Sequence, residues 1–216
     1  PPPGWGQQGG GAGAGNFSSF FDNMFGGAGG GRDDFYAKGE DVNTKITISL
    51  EDAFLGVKKT IRRPSGSNQT GTLNVKVPAG IIAGKKIRLS GQGIAGMGNN
   101  PGDLFLEIVI APHAHYRLEQ KDIYLDLPIA PWEAALGAKV TVPTLAGRIN
   151  LKIPAGAKSG QKMRLKGRGL PSKEAGDQFV VLQIMTPPAD TDAAKQLYQQ
   201  MAEELHFNPR ETLENL

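Results

Sequence analysis

The strongest constraint on the fold is an internal repeat. The motif Val77-Pro78-Ala79-Gly80 recurs as Ile153-Pro154-Ala155-Gly156, at an offset of 76 residues. The same offset relates Gly84, Lys86, Arg88, Leu89, Gly91 and Gly93 to Gly160, Lys162, Arg164, Leu165, Gly167 and Gly169. Farther away the offset drifts: Gly56 matches Gly137, and Gly102-Asp103 matches Gly176-Asp177. Such drift places length changes in loops and predicts a duplicated domain.

Both repeats show the alternation of apolar and polar residues that is typical of β-strands. In the first repeat, strands are predicted from Asp41 to Leu50 and at 57–62, 72–77, 86–89 and 104–110. In the second repeat, they are predicted at 123–129, 139–142, 148–153, 162–165 and 178–185. One short helix is predicted in each repeat, before Gly56 and before Gly137. We therefore predict an all-β chain with two tandem β-sandwich-like domains, at 41–115 and 116–187.

The segment before the first repeat is rich in glycine. Its first 31 residues hold 12 of the 30 glycines and almost no charge, so it has little apolar surface to bury on folding. We predict that residues 1–38 form a flexible segment. The segment also contains four phenylalanines, more than a plain spacer needs: Phe17, Phe20, Phe21 and Phe25. The alternative is therefore a tether that docks transiently on a partner or on its own protein.

Residues 188–216 follow the second repeat and contain a helical pattern from Thr191 to Leu205. An apolar stripe runs along one face of this helix and comprises Ala194, Leu197, Tyr198, Met201 and Leu205. An isolated helix of about 15 residues is marginal in water, so the stripe needs a packing partner. The periodicity alone leaves open whether the helix folds back on the second domain or meets its copy in another chain.

Composition argues against an enzyme. The chain has no cysteine and only three histidines, His113, His115 and His206, none of which lies in a recognisable catalytic motif. We therefore expect no catalytic residue, metal or cofactor. No apolar run is long enough to span a bilayer, so we expect no membrane association and a cytoplasmic location.

Basic residues cluster on the predicted strands, and the sequence pI is near 9.1. One cluster comprises Lys58, Lys59, Arg62 and Arg63. Such a cluster is typical of a solvated strand face that resists edge-to-edge pairing. It is equally typical of a surface that binds an acidic peptide tail or phosphates, and the sequence leaves both interpretations open.

The combination of motifs resembles the DnaJ family of co-chaperones over essentially the whole chain. The resemblance is carried by the Gly/Phe-rich segment, the Ser49-Leu50-Glu51-Asp52-Ala53 turn, the paired Pro-Ala-Gly motifs and Gly102-Asp103. Because the chain lacks cysteine, it resembles the zinc-free class, class B. The resemblance implies tandem DnaJ C-terminal domains followed by a dimerisation helix, and favours a homodimer through Leu197, Tyr198, Met201 and Leu205.

The same resemblance implies a function. The first domain is expected to bind exposed hydrophobic segments of unfolded client proteins for delivery to a DnaK-type chaperone. By motif position, the client-binding residues are Ile46, Ile61 and Leu106, and Ile48 is added as their neighbour. Lys58 and Lys59 match positions that hold the acidic tail of the partner chaperone in eukaryotic relatives, and Arg62 and Arg63 extend this basic surface.

Two further expectations follow from the resemblance. No histidine here is followed by Pro-Asp, so this chain alone is not expected to stimulate the ATPase of a DnaK-type chaperone. The second domain is most similar to the curved-DNA-binding branch of the family. Together with the basic pI, this supports a rival interpretation as a nucleoid-associated protein that binds double-stranded DNA through basic patches.

Overall fold

The computed structural model describes residues 38–66, 71–96, 100–211 and 213. Its first unit contains a three-stranded sheet and a separate hairpin. The sheet has the order β1 (Val42–Ile48), β5 (Leu104–Ile110), β4 (Lys86–Leu89), with β1 parallel and β4 antiparallel to β5. The hairpin pairs β2 (Val57–Arg62) with β3 (Thr72–Val77), and helix α1 (Leu50–Leu55) connects β1 to β2.

The second unit repeats this arrangement with one additional strand. Its sheet has the order β6 (Tyr116–Glu119), β7 (Asp122–Ile129), β11 (Gln178–Ile184), β10 (Lys162–Leu165). Its hairpin pairs β8 (Ala138–Thr144) with β9 (Gly147–Ile153), and helix α2 (Pro131–Leu136) precedes β8. Helix α3 (Asp192–Leu205) completes the described fold.

The predicted all-β fold class is confirmed, and each predicted strand is present. Strand β6 was not predicted; unlike the equally short β4 and β10, it has no counterpart in the other repeat among the described residues. The domain boundaries at 115 and 187 stay predictions. The prediction of a flexible segment at 1–38 falls almost entirely outside the described residues.

Each unit buries its own apolar core between sheet and hairpin. In the first, Leu106 of the central strand and Val75 of the hairpin are almost completely buried. In the second, Val180 and Leu151 occupy the corresponding positions and are buried. Alternate residues of each strand therefore face inward, as the period of two requires.

The two units are joined by more than the connecting chain. Leu170, from the loop after β10, is fully buried within the core of the first unit. The next residue, Pro171, lies directly against Gly80, so that a methyl group on Gly80 would collide with the carbonyl oxygen of Pro171. A side chain from the second repeat thus completes the core of the first.

The Gly-Asp motifs of both repeats have the same structural role. Asp103 accepts hydrogen bonds from the Gly91 amide at 2.9 Å and from Nε of Arg88 at 3.0 Å. In the second unit, Asp177 accepts from the Gly167 amide at 2.7 Å and from Nε of Arg164 at 2.6 Å. Each aspartate therefore fixes the turn that follows the β4 or β10 strand, which explains why arginine, glycine and aspartate recur together.

These hydrogen bonds make stability depend on pH. The Gly91 amide above all, and then Arg88, lower the pKa of Asp103 below its usual 3.8. A lowered folded-state pKa stabilises the fold above pH 3.8, and this contribution is lost as the pH falls through the lower folded-state value. We expect Asp103→Asn to lower the Tm by a few degrees at pH 7, with the difference from wild type shrinking below about pH 4. Thermal unfolding followed by circular dichroism between pH 2.5 and 7 checks this.

Asp126→Asn is the control for this experiment, because Asp126 is an exposed aspartate on β7. It should leave the Tm close to that of wild type at pH 7. A Tm deficit for Asp103→Asn that persisted unchanged at the lowest pH would contradict the assigned electrostatic role.

Helix α3 begins with a side-chain cap, and none of its residues is buried. The Thr191 hydroxyl accepts from the Ala194 amide at 3.2 Å. All 14 residues of the helix remain at least partly exposed. No helix in the described residues is long and apolar enough to cross a membrane.

Candidate functional site

The two units differ at one sheet edge. In the first unit β1 is an edge strand, with β5 on one side and no strand on the other among the described residues. In the second unit the corresponding strand β7 is covered on that side by β6. A free strand edge presents backbone amides and carbonyls that can pair with an extended peptide. Only the first unit therefore offers such an edge at this position.

Three of the four predicted client-binding side chains lie in the core. Ile46, Ile48 and Leu106 are 6%, 1% and 0% exposed, so they have almost no surface for a client to contact. These residues point inward on β1 and β5, and their role in client binding stays a prediction. Ile61, the fourth, is half-buried and packs at the margin of the same core.

Ile61 lies directly opposite Leu73 in the β2–β3 hairpin, and both side chains are half-buried. The corresponding pair in the second unit is Val142 and Ile149, and there Val142 is fully buried. The apolar pair is thus more accessible in the first unit, where the strand edge is also free.

The four predicted basic residues do not form one surface. Lys58 and Arg62 are exposed on the outer face of the hairpin, whereas Lys59 points toward β1. Nζ of Lys59 donates to the Thr47 carbonyl at 2.9 Å, and Arg63 donates to the Gln92 side chain. The expectation of a single cluster is corrected because neighbours along a strand point to opposite faces.

Lys59 connects the hairpin to the free edge. Its ammonium group lies 3.4 Å from Asp52 Oδ2, in addition to its bond to Thr47. One backbone acceptor of β1 is therefore already occupied by a flexible cation. The edge, the Ile61–Leu73 pair and Lys59 together form a candidate peptide site, which we call the edge site.

The predicted dimerisation residues form a second candidate surface. Leu197, Met201 and Leu205 are 67%, 49% and 62% exposed, which is unusual for large apolar side chains. With neighbours from α2 they line a groove of about 590 Å³, which includes Pro131, Trp132 and Tyr198. The Tyr198 hydroxyl donates to the Pro187 carbonyl at 2.7 Å and holds α3 against the second unit. We call this groove the α2–α3 surface.

Sequence reasoning missed two residues of these surfaces. Leu73 was assigned to a strand but not to a site, because its partner across the hairpin could not be read from the chain. Trp132, 60% exposed on α2, was also missed. A signal for Trp132 was present, since a tryptophan in the first turn of a short helix after Pro131 is poorly placed for burial.

His113 has a structural role between the units. Its Nε2 lies 3.0 Å from Oε1 of Glu51, and its Nδ1 accepts backbone hydrogen bonds from His115 and Tyr116. Within the part of the chain that the structure describes, no three His, Asp or Glu side chains are grouped as metal ligands.

The sequence matches known proteins along nearly its whole length. The family model for the DnaJ C terminal domain matches residues 42–187. The chain is 47% identical to the Curved DNA-binding protein of Coxiella burnetii, covering 99% of this chain and 74% of that protein. It is 41% identical to the Curved DNA-binding protein of Pseudomonas putida, covering 97% of this chain and 73% of the relative. The repeated domains, the absence of cysteine and these matches together show that the chain belongs to the DnaJ family of co-chaperones.

Proposed function

We propose that this chain binds exposed hydrophobic segments of unfolded client proteins, as a dimer, for delivery to a DnaK-type chaperone. The observation that carries the proposal is the free edge of β1 beside the half-buried Ile61–Leu73 pair. An extended client segment supplies the missing strand, and its backbone pairs with β1 whatever its sequence. Apolar client side chains then pack on Ile61 and Leu73, which selects hydrophobic segments.

Lys59 has a place in this mechanism. Its bond to the Thr47 carbonyl satisfies an edge acceptor while the site is empty. When a client strand donates to that carbonyl, the ammonium group is released and becomes available to a carboxylate. A single lysine thereby couples occupancy of the edge to the binding of an acidic tail of the partner chaperone. Lys58 and Arg62 lie on the opposite face of the same strand, and Arg63 follows it.

The edge site predicts the effect of a paired substitution. We expect Ile61→Ser combined with Leu73→Ser to weaken client binding by about tenfold or more, because each buried apolar contact stabilises by about 1.5–3 kcal/mol. The measurement is the suppression of aggregation of a denatured model protein, titrated against chain concentration. Moderate salt should change the wild-type result little, since apolar burial is not screened.

Ile149→Ser is the matched control, because Ile149 is the half-buried counterpart of Leu73 in the unit whose edge is covered. It should cost about as much folding stability as Leu73→Ser alone and leave client binding unchanged. Equal loss of client binding in both variants, at equal folded fraction, would contradict the edge site.

The α2–α3 surface is proposed to form the dimer. A dimer has two edge sites, so that once one site has bound a client, the other is at high effective concentration for a second segment of the same client. Weak binding at each site therefore gives higher avidity for a long unfolded chain.

DNA binding is a second candidate function. It is favoured by the net charge of +3, by the outward Lys58 and Arg62 on the hairpin, and by the name of the relatives from Coxiella and Pseudomonas, Curved DNA-binding protein. Phosphate contacts would make duplex binding fall steeply with salt, in contrast to client binding. Fluorescence anisotropy of a labelled duplex at increasing salt separates the two activities on one sample.

A further inference from the structure

The outer faces of the two hairpins carry the same pattern of side chains. On the first, Lys58 lies directly opposite Lys76, and Thr60 lies opposite Asn74. On the second, Lys139 lies opposite Lys152, and Thr141 lies opposite Asn150. The Thr–Asn pairs are hydrogen-bonded at 2.8 Å and 3.2 Å. All eight side chains are exposed.

An arginine extends each face by one more row. Arg62 lies opposite Thr72 on the first hairpin, and Arg148 lies opposite Pro143 on the second. The lysine row and the arginine row lie four residues apart along each strand, with the Thr–Asn row between them. At about 3.3 Å per residue, this separation is about 13 Å. Each face therefore presents three cations and a polar centre to solvent.

Lysines placed directly opposite each other in a hairpin repel. None of the six cations lies within 4.0 Å of a carboxylate in the described part of the chain, so neither face neutralises its own charge. Arg88 and Arg164 on the sheets differ in this respect, because they are held by Asp103 and Asp177. A polyanion that approached these faces would meet cations without internal partners.

We infer that the two hairpin faces are a duplicated phosphate-binding surface for the backbone of duplex DNA. The inference rests on the DNA-binding function proposed above and names the residues that carry it: Lys58, Lys76, Arg62, Lys139, Lys152 and Arg148. Phosphates follow each DNA strand every 3.4 Å along the axis, so the 13 Å between rows spans about four phosphates. The central Thr–Asn pairs add hydrogen-bond donors for phosphate oxygens. No base is read, so binding is expected to depend weakly on sequence.

The test uses charge-matched variants of the full chain. Lys58→Gln with Lys76→Gln removes one lysine pair, and Lys139→Gln with Lys152→Gln removes the other. Lys158→Gln with Lys173→Gln is the control, because both lysines are exposed on loops of the second unit, outside the hairpins and the edge site, and remove the same total charge. Affinity for a labelled duplex is measured by anisotropy from 50 to 300 mM salt.

Each hairpin variant should bind DNA about tenfold or more weakly at 100 mM salt, and the slope of log affinity against log salt should fall by about 1.8. The control should keep most of the wild-type affinity, and client binding should be unchanged in all three variants. Equal losses in the control and hairpin variants would overturn the assigned surface while leaving DNA binding in place.

Two other results separate this surface from the function on which it rests. A wild-type chain that does not bind the duplex would remove the DNA-binding function and this surface together. Unchanged DNA affinity in the hairpin variants, with weaker binding of a glutamate-rich peptide, would overturn the inference and assign the faces to an acidic peptide.

Discussion

Replacing Met201 with aspartate should convert the proposed dimer into a monomer. Met201 lies at the centre of the apolar stripe on α3 and is half exposed in the single chain. Each protomer of a two-fold dimer contributes the same substitution, so its effect counts twice. Losing about 1.5–3 kcal/mol of apolar burial from each chain weakens the dimer by about 10²- to 10⁴-fold. Analytical ultracentrifugation across a concentration series measures this change directly.

Helix content gives an independent measure of the same event. A helix of 14 residues with no buried side chain is marginal without a partner surface, so dissociation should also reduce the helical signal at 222 nm. Gln199→Asp is the control, since Gln199 is exposed on the opposite face of α3 and receives the same new charge. It should remain dimeric. A Met201→Asp chain that sedimented as a dimer would exclude the α2–α3 surface as the interface.

Replacing Gly80 with alanine should destabilise the chain far more than the same change at Gly156. Both glycines have φ of +75° at equivalent positions of the repeat, so the backbone strain of an alanine is the same, about 1–2 kcal/mol. They differ in surroundings: a methyl group on Gly80 meets the Pro171 carbonyl, and one on Gly156 meets nothing within 4 Å. Overpacking adds about 1–3 kcal/mol at Gly80.

Urea unfolding of the two variants, compared with wild type, isolates the contact between the units. The difference in free energy of unfolding between Gly80→Ala and Gly156→Ala is the cost of placing a methyl group against Pro171, because the common strain cancels. Equal losses would mean that Pro171 does not pack on Gly80 in solution. A second consequence concerns Leu170, which should become more exposed in Gly80→Ala and raise the rate of limited proteolysis in its loop.

The strands could be predicted from sequence because their alternation is local. Residues two apart share a face whatever the rest of the chain does, so β5 and β11 were identified from their own residues. Strand β6 was not predicted because, unlike the four-residue β4 and β10, it is not part of the internal repeat. Its absence from the prediction mattered, since β6 is what closes the edge of the second sheet.

The candidate site was predicted less well than the fold. Motif position selected Ile46 and Leu106, with Ile48 added as a neighbour. All three are buried, because a motif marks alignment along the chain and not exposure. Lys58 and Lys59 are adjacent in sequence and were grouped for that reason. The strand places them on opposite faces, and Lys58 is next to Lys76 instead, a residue 18 positions away.

The sequence by itself determined the duplicated β fold, the zinc-free class and the apolar stripe of α3, because repeats, composition and helical period are properties of the chain. Only the tertiary structure decided which repeat keeps a free edge, which lysines face each other across a hairpin, and how Leu170 joins the two cores. Those features depend on contacts between residues far apart in sequence. Local residue preferences do not determine which strands pair or which distant residues come into contact.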